Sequence, residues 1–181
     1  LHISSCFPRK SIDVLLKSYE HSFNKYDDVT LVIKTFKNPH NKIHQLLANY
    51  SKDNGDYPHV IILEKELSLS EIKYLYQYSD VYISPGHGEG FGLPLAEAML
   101  SSLPVITTAW GGQLDFSSHD NSWLIDFNFE YSKSHFEQVD SVWALPCSDD
   151  LAQKMQSIKL ESYDLIKSKV DKAKYNILNN F

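Results

Sequence analysis

The sequence predicts an α/β fold, a Rossmann-like parallel sheet of about six strands with helices on both faces. Short apolar runs typical of strands alternate, along 181 residues, with segments whose apolar residues recur at helical spacing. The connections between them have the lengths of the crossovers that join parallel strands. With 43% hydrophobic residues, the chain can also bury the core that such a domain needs.

The first half of the chain supplies three strands and the helices between them. VTLVIKTF at residues 29–36 is mostly apolar, which is expected of a strand buried on both faces. Ser68 and Glu71 have the spacing of a capping box and begin the third helix. The predicted elements before it are a strand at 1–5, a helix at 9–24, the strand at 29–36, a helix at 39–50 and a strand at 60–63.

The stretch from Asp80 to Ala109 organises the fold as a strand, a glycine-rich turn, a helix and a second strand. Four of the seven glycines lie in GHGEGFG at residues 86–92. Such density indicates backbone with positive φ, or backbone that a ligand approaches closely. Pro94 and the helix formers after it predict a helix whose free N–H groups and dipole create an anion site where the loop ends.

Two carboxylates, Glu89 and Glu97, flank this anion site. A carboxylate beside a phosphate is unfavourable, whereas an ionised carboxylate readily accepts hydrogen bonds from neutral hydroxyl groups. A phosphate at the helix end with a hydroxylated ring on each side describes a nucleotide sugar. The alternative is structural: Glu97 interacts with the helix dipole, and Glu89 is solvated.

The segment EGFGLPLAEAM, followed by the strand PVITT, resembles the donor-site signature of the retaining glycosyltransferases of family 4, which have the GT-B fold. The likeness extends from Leu1 to about Leu160. It implies the C-terminal half of a GT-B fold, in which Glu97 binds the ribose hydroxyls, Glu89 contacts the transferred hexose, and the backbone of residues 90–93 faces sugar and diphosphate. GGQLDF, in the next loop, is similar to bacterial mannosyltransferases of the family and is expected near the sugar.

Arg9 and Lys10 form a basic pair at a predicted helix N-terminus, where acidic residues are favoured. An anionic ligand between this pair and the glycine loop explains the placement; the alternative is a solvated pair. By the resemblance, Lys10 contacts the donor diphosphate, and Arg9 substitutes for a family arginine whose position falls near Ser4. The predicted catalytic residues are therefore Glu89, Lys10 and Arg9.

The predicted substrate-binding residues lie at the carboxyl ends of the strands. Glu64 ends the third strand, at the edge where open α/β sheets bind ligands, and is placed beside the nucleotide base. The full substrate-binding set is Glu64, His87, Gly88, Gly90, Phe91, Gly92, Leu93 and Glu97.

A metal site is not predicted. The pair His40 and His44 has i, i+4 spacing on a helix, but there is no third ligand nearby.

The last third of the chain predicts a sixth strand at 122–126 and a long loop at 128–142, which holds His135. Helices follow from about residue 148, so that residues 1–181 form a single nucleotide-sugar-binding domain. Because Leu1 already lies in a predicted strand, the N-terminal acceptor domain of a GT-B enzyme is expected to be absent. Glu89 is then expected to be solvent-exposed, and the glycine loop mobile.

Composition constrains the partners. A net charge of −6 without a basic run disfavours nucleic acid. Cys6 and Cys147 fit reduced, buried thiols in a cytoplasmic protein, although a disulfide stays open. No apolar run is long enough to span a bilayer. The expected partners are a GDP- or UDP-hexose and, through the missing half, a glycan or lipid-linked acceptor and the inner face of the membrane.

Motifs of other nucleotide-binding and hydrolytic classes are absent. No GxGxxG follows the first strand, and neither GxxxxGK[ST] nor GxSxG occurs. There is also no Asp-x-Asp, so neither a cofactor nor a metal is expected, and backbone amides and cations would stabilise the leaving diphosphate. The predicted function is retaining hexose transfer from a nucleotide sugar; the alternatives are a GT-B nucleotide-sugar epimerase and a non-catalytic nucleotide- or carbohydrate-binding module.

Overall fold

A computed structural model describes residues 1–53, 55–133 and 140–181 as an α/β domain. Its strands are β1 (His2–Ile3), β2 (Leu31–Lys34), β3 (Val60–Leu63), β4 (Tyr82–Ser84), β5 (Val105–Thr108), β6 (Trp123–Ile125), β7 (Phe127–Tyr131) and β8 (Val142–Pro146). Its α-helices are α1 (Ile12–Ser22), α2 (Ile43–Asp53), α3 (Leu69–Gln77), α4 (Leu93–Leu100), α5 (Ser148–Leu160) and α6 (Tyr163–Asn180).

The first six strands are parallel and form two three-stranded groups, β1–β2–β3 and β4–β5–β6, with β2 and β5 at their centres. The groups meet where the N–H of Ile83 donates to the carbonyl of Leu1 at 2.8 Å. The resulting order, β3-β2-β1-β4-β5-β6, confirms the predicted Rossmann-like sheet of six parallel strands. The order reverses between β1 and β4, and open α/β sheets bind ligands at the carboxyl edge of such a switch point.

Helices cover both faces of the sheet, as predicted. Successive strand residues point to opposite faces, so Ile83 joins one apolar cluster and its neighbour Tyr82 joins the other. The first cluster includes residues of α1, α2 and α5, and the second includes residues of α3, α4 and α6. Both faces are thus shielded from water, which is why the six parallel strands are mostly apolar rather than alternating.

The segment before α1 differs from the prediction. Arg9 and Lys10 do not open the helix; they lie in a short 3-10 turn at Pro8–Lys10. Ser11 follows with a φ of 53°, in the left-handed region, and this residue separates the turn from α1. The basic pair therefore sits on a tight turn at the carboxyl end of β1, and the argument from a helix N-terminus does not apply to it.

Residues 128–142 were expected to be a loop, and that prediction is wrong in its described part. Strand β7 pairs with β8 as an antiparallel hairpin. The signal was present in the sequence, since Phe127, Phe129 and Tyr131 alternate with polar residues at a period of two. Residues 134–139, including His135, lie outside the described residues.

Local capping interactions account for two of the helix starts. The capping box of α3 is confirmed: Ser68 Oγ accepts from the N–H of Glu71, and Glu71 Oε2 accepts from the N–H of Ser68. Helix α2 begins later than predicted, after a turn in which Asn41 Oδ1 accepts from the N–H of Ile43 at 3.1 Å. Across the described ranges, none of the helices has the length and apolarity to cross a membrane.

Candidate functional site

Three loops converge at the switch point of the sheet, those that follow β1, β4 and β5. The N–H of His87, after β4, donates to the carbonyl of Arg9, after β1, at 2.8 Å. The N–H of Gly112, after β5, donates to the carbonyl of Glu89 at 2.8 Å. The glycine loop is thus fixed from both sides by backbone hydrogen bonds, and the predicted catalytic residues come together at one point.

Glu89 bridges both cations of the first loop. Its Oε2 accepts from Arg9 Nη1 at 3.2 Å, and its Oε1 is bonded to Lys10 Nζ. Arg9 Nη1 also lies 3.3 Å from the carbonyl oxygen of Gly88. Gly86 allows this approach, because a Cβ there would lie 3.2 Å from Glu89 Oε1.

The expectation that Glu89 is solvent-exposed is wrong. The side chains of Glu89 and Lys10 are only 9% and 13% exposed, whereas that of Arg9 is 41% exposed. Burial lowers the pKa of Lys10, although the charge of Glu89 opposes this shift. The physical reason for the burial is mutual neutralisation, since charged groups leave water only when they are paired.

The loop after β5 supports the backbone of the glycine loop. A Cβ on Gly112 would lie 1.7 Å from the carbonyl oxygen of Gly90, so only glycine fits there. Gly111 has a φ of 112°, a conformation that side chains disfavour. Gln113 closes the loop, since its Nε2 donates to the carbonyls of Thr108 and Trp110 at 3.1 and 2.7 Å. Sequence reasoning placed this loop near the sugar and did not foresee its contacts with residues 89 and 90.

Helix α4 begins at the end of the glycine loop, as predicted. Gly92 is its N-cap with a φ of 87°, and of the four loop glycines it alone has positive φ. Among the described residues, no side chain caps α4. Gly88 and Gly90 have open space where a Cβ would stand. The backbone of the loop at Gly88 and Gly90 is thus open to a close approach by a ligand, whereas Gly92 supplies the positive φ.

Glu97 is held on α4 by Tyr76, a residue that is not among the predicted site residues. Tyr76, on α3, donates its hydroxyl hydrogen to Glu97 Oε2 at 2.9 Å, and its oxygen also lies 3.2 Å from the carbonyl of Pro94. Tyr76 is 3% exposed. A signal for this role existed, because a buried phenol usually finds a hydrogen-bond acceptor.

His87 is placed beneath the loop rather than towards a ligand. The residue is 4% exposed, and its Nδ1 lies 2.9 Å from the carbonyl oxygen of Ala144. Its ring stacks on that of Trp143 with centroids 3.9 Å apart and an angle of 6° between the planes. Burial lowers the pKa of His87. This side chain anchors the β7–β8 hairpin to the glycine loop.

The remaining predicted residues lie around this centre. Glu64 is 20% exposed in its side chain, and its Oε2 lies 3.1 Å from His44 Nε2. Phe91 packs its ring on Phe116, with centroids 4.9 Å apart, while Leu93 is exposed. Within the described ranges, there is no cluster of three or more His, Cys, Asp or Glu side chains that could hold a metal ion.

The two cysteines are apart and free. Cys6 is buried and Cys147 is half-buried, and neither is in a disulfide. Burial raises the pKa of the Cys6 thiol. The prediction of a buried thiol is thus confirmed for Cys6, whereas Cys147 is only partly buried.

The sheet order and the converging loops define a Rossmann-type α/β domain, with the candidate ligand site at the β1/β4 switch point. Residues 1–157 match the family described as Glycosyl transferases group 1, and the chain belongs to this family. It is 26% identical over 158 residues to the GtfA subunit of a UDP-N-acetylglucosamine–peptide N-acetylglucosaminyltransferase of Streptococcus pneumoniae, covering 86% of this chain and 29% of that protein.

Further comparisons agree on the fold. A probable sucrose-phosphate synthase of Thermosipho melanesiensis is 33% identical over 113 residues, which are 60% of this chain and 25% of that protein. The C-terminal domain of a group 1 glycosyl transferase (LpcC) of Francisella tularensis superposes with a TM-score of 0.74 at 21% identity, covering 99% of this chain and 83% of that domain. Anabaena Alr3699/HepE, solved with UDP-glucose, gives 0.75 at 18% identity over 99% of this chain and 43% of that protein. The chain thus has the fold of a GT-B C-terminal domain and spans about a quarter to a third of the curated relatives named here.

Proposed function

We propose that this chain is the donor-binding domain of a retaining, family 4 glycosyltransferase that takes a hexose from a nucleoside diphosphate sugar. The observation that carries the proposal is the pair Arg9 and Lys10, held by Glu89 at the switch point beside the uncapped start of α4. Two cations beside a glycine loop and the positive end of a helix dipole form a site for a diphosphate. The names of the relatives support a UDP-sugar as the first donor to test; GDP-mannose follows from the likeness of GGQLDF to mannosyltransferases.

In this proposal the diphosphate takes the place that Glu89 now occupies between Arg9 and Lys10. The two cations and the α4 dipole then stabilise the charge that develops on the diphosphate as the bond to the anomeric carbon breaks. Glu89, released from the cations, turns to the hexose and supports its developing positive charge. Glu97 accepts hydrogen bonds from the ribose hydroxyls. No metal takes part in these steps.

The acceptor is a glycan or a lipid-linked sugar, held by a further domain that the GT-B arrangement places opposite the carboxyl edge of the sheet. Transfer depends on an acceptor held in line with the anomeric carbon, because positioning supplies much of the rate. We therefore expect the 181-residue chain to bind donor without transferring sugar. A cytoplasmic location, with membrane contact through the acceptor-binding part, is also a proposal.

A calorimetric titration of the 181-residue chain with UDP, GDP and their hexose conjugates tests the proposal. We expect saturable binding of one nucleoside diphosphate, and about ten- to a hundredfold weaker binding by Lys10→Met, since a bond to a charged group is removed. Lys17→Met removes a lysine of α1 that lies beyond these loops and serves as the control. Equal binding of all nucleotides by the Lys10 variant and the control would overturn the proposed site.

A further inference from the structure

We infer that Tyr76 is a positioning residue that fixes the Glu97 carboxylate for recognition of the two ribose hydroxyls of the nucleotide. The inference rests on the proposed function, in which Glu97 accepts hydrogen bonds from the ribose. It adds a second residue, on a different helix, to the part of the site that distinguishes ribose from sugars without these hydroxyls.

The hydrogen bond between Tyr76 and Glu97 joins two helices. Tyr76 lies on α3, and both oxygens near its hydroxyl, Glu97 Oε2 at 2.9 Å and the Pro94 carbonyl at 3.2 Å, belong to α4. A phenol has one hydrogen to donate, and the carboxylate is the stronger acceptor of the two. The hydroxyl of Tyr76 is therefore directed to Glu97, close to the loop where the proposed diphosphate site begins.

The ring of Tyr76 cannot easily move away from this position. Tyr76 is 3% exposed and belongs to the apolar cluster shared with Leu95 and Met99 of α4. Its ring centroid lies 6.0 Å from that of Tyr82 on β4. Burial raises the pKa of Tyr76, so the hydroxyl keeps its hydrogen and stays a donor. The core of the domain thus sets the place of the hydroxyl.

Glu97 gains a fixed orientation from this contact. Among the described residues, Tyr76 is the only group that donates to its carboxylate. The contact uses one of the roughly four acceptor positions of the carboxylate. The others remain available for hydroxyls, and the side chain has already lost rotamer freedom that binding would otherwise cost. A carboxylate prepared in this way binds a pair of neighbouring hydroxyls more tightly than a freely rotating one.

The experiment compares Tyr76→Phe with Tyr82→Phe in the 181-residue chain. Tyr82 is a matched control, because it is 1% exposed and its hydroxyl donates to the carbonyl of Ile3 at 3.2 Å rather than to Glu97. Each variant is titrated with UDP or GDP, whichever the unmodified chain binds, and with the 2′,3′-dideoxy form of the same nucleotide. Thermal unfolding is recorded for both variants.

We expect Tyr76→Phe to weaken binding of the ribonucleotide by about three- to tenfold, the effect of one hydrogen bond, and to leave dideoxynucleotide binding unchanged. The preference for ribose therefore shrinks in Tyr76→Phe and persists in Tyr82→Phe. A purely structural role would weaken both nucleotides equally, and that result would overturn the inference. If the unmodified chain binds neither nucleotide, the proposed function fails instead.

A second variant, Glu97→Asp, tests the inference with Tyr76 intact. The shorter side chain keeps the charge and moves the carboxylate away from the Tyr76 hydroxyl. We expect the preference of Glu97→Asp for the ribonucleotide over the dideoxynucleotide to fall as far as that of Glu97→Gln, a variant in which the charge itself is removed. Full retention of the preference by Glu97→Asp would show that the Tyr76 contact is not needed, and this result stands even if Tyr76→Phe does not fold.

Discussion

The two carboxylates of the site are held in different ways. Glu89 lies in a loop and is held by charge, with Arg9 and Lys10 on its two oxygens. Glu97 lies on a helix and is held by one neutral donor, the hydroxyl of Tyr76. A second anion can compete for the cations of Glu89, whereas it gains little from the phenol of Tyr76. The difference suggests that a diphosphate displaces Glu89 and leaves Glu97 in place.

The largest expected effect comes from a substitution that disturbs the loop around Glu89 and leaves the helix of Glu97 untouched. Gly112→Ala places a methyl group 1.7 Å from the Gly90 carbonyl and disturbs the backbone next to Glu89 without touching Glu97. We expect a loss of more than about 3 kcal/mol in the free energy of unfolding, or roughly 6 to 12 °C in Tm. Gly88→Ala is the stability control, because open space surrounds its Cβ position. Equal Tm values for the two variants would contradict the packing described here.

The next effect tests the helix side of the comparison. Glu97→Ala removes the proposed acceptor for the ribose hydroxyls, so nucleoside diphosphate affinity should fall about ten- to a hundredfold. Calorimetry with the free diphosphate and with its sugar conjugate measures this. Unchanged affinity for both ligands would assign Glu97 a purely structural role.

A smaller effect of opposite sign tests the loop side. Glu89→Gln removes the charge that competes for Arg9 and Lys10, and we expect affinity for the free nucleoside diphosphate to rise by about three- to tenfold, the size of a weak charged contact. The sugar conjugate should lose its advantage over the free diphosphate, because Glu89 contacts the hexose in the proposed complex. Arg9→Gln is the matched variant, and it should weaken both ligands. A fall in diphosphate affinity in Glu89→Gln would contradict displacement.

The smallest effect concerns metal ions. Because the sequence has no Asp-x-Asp pair, the cations of the protein are proposed to take the role of a metal. Nucleoside diphosphate affinity should therefore be the same with EDTA and with added Mg²⁺. Binding that disappears with EDTA would show that Arg9 and Lys10 do not suffice to hold the diphosphate. A metal ion between the diphosphate and the protein would then be required.

Much of the fold followed from the sequence because its signals are local. Apolar strands, helical spacing and the Ser68–Glu71 capping box depend on neighbours along the chain, and all of them are present. The β7 strand carried its own alternating signal in Phe127, Phe129 and Tyr131, which the polar residues around it obscured. The turn at Pro8–Lys10 was missed because a left-handed Ser11 leaves no mark in composition.

The site was predicted as a list of residues and not as a set of contacts. The sequence analysis placed Glu89 either against a ligand or in water, and neither alternative gave it a partner within the protein. Two cations across the switch point supply that partner, over a separation of 79 and 80 positions in the chain. The same limit applies to Tyr76, whose helical spacing predicts burial but does not specify the acceptor of its hydroxyl.

The stack of His87 on Trp143 gives the protein an intrinsic optical reporter. An indole lying 3.9 Å from an imidazole emits differently when the imidazole withdraws or gains a proton, and His87 is only two residues from Glu89. Rearrangement of the glycine loop would therefore register in tryptophan emission without an added label. In Trp143→Phe, only the emission of Trp110 and Trp123 remains. The difference between the two proteins in a stopped-flow fluorimeter therefore gives the rate at which the loop and the hairpin rearrange.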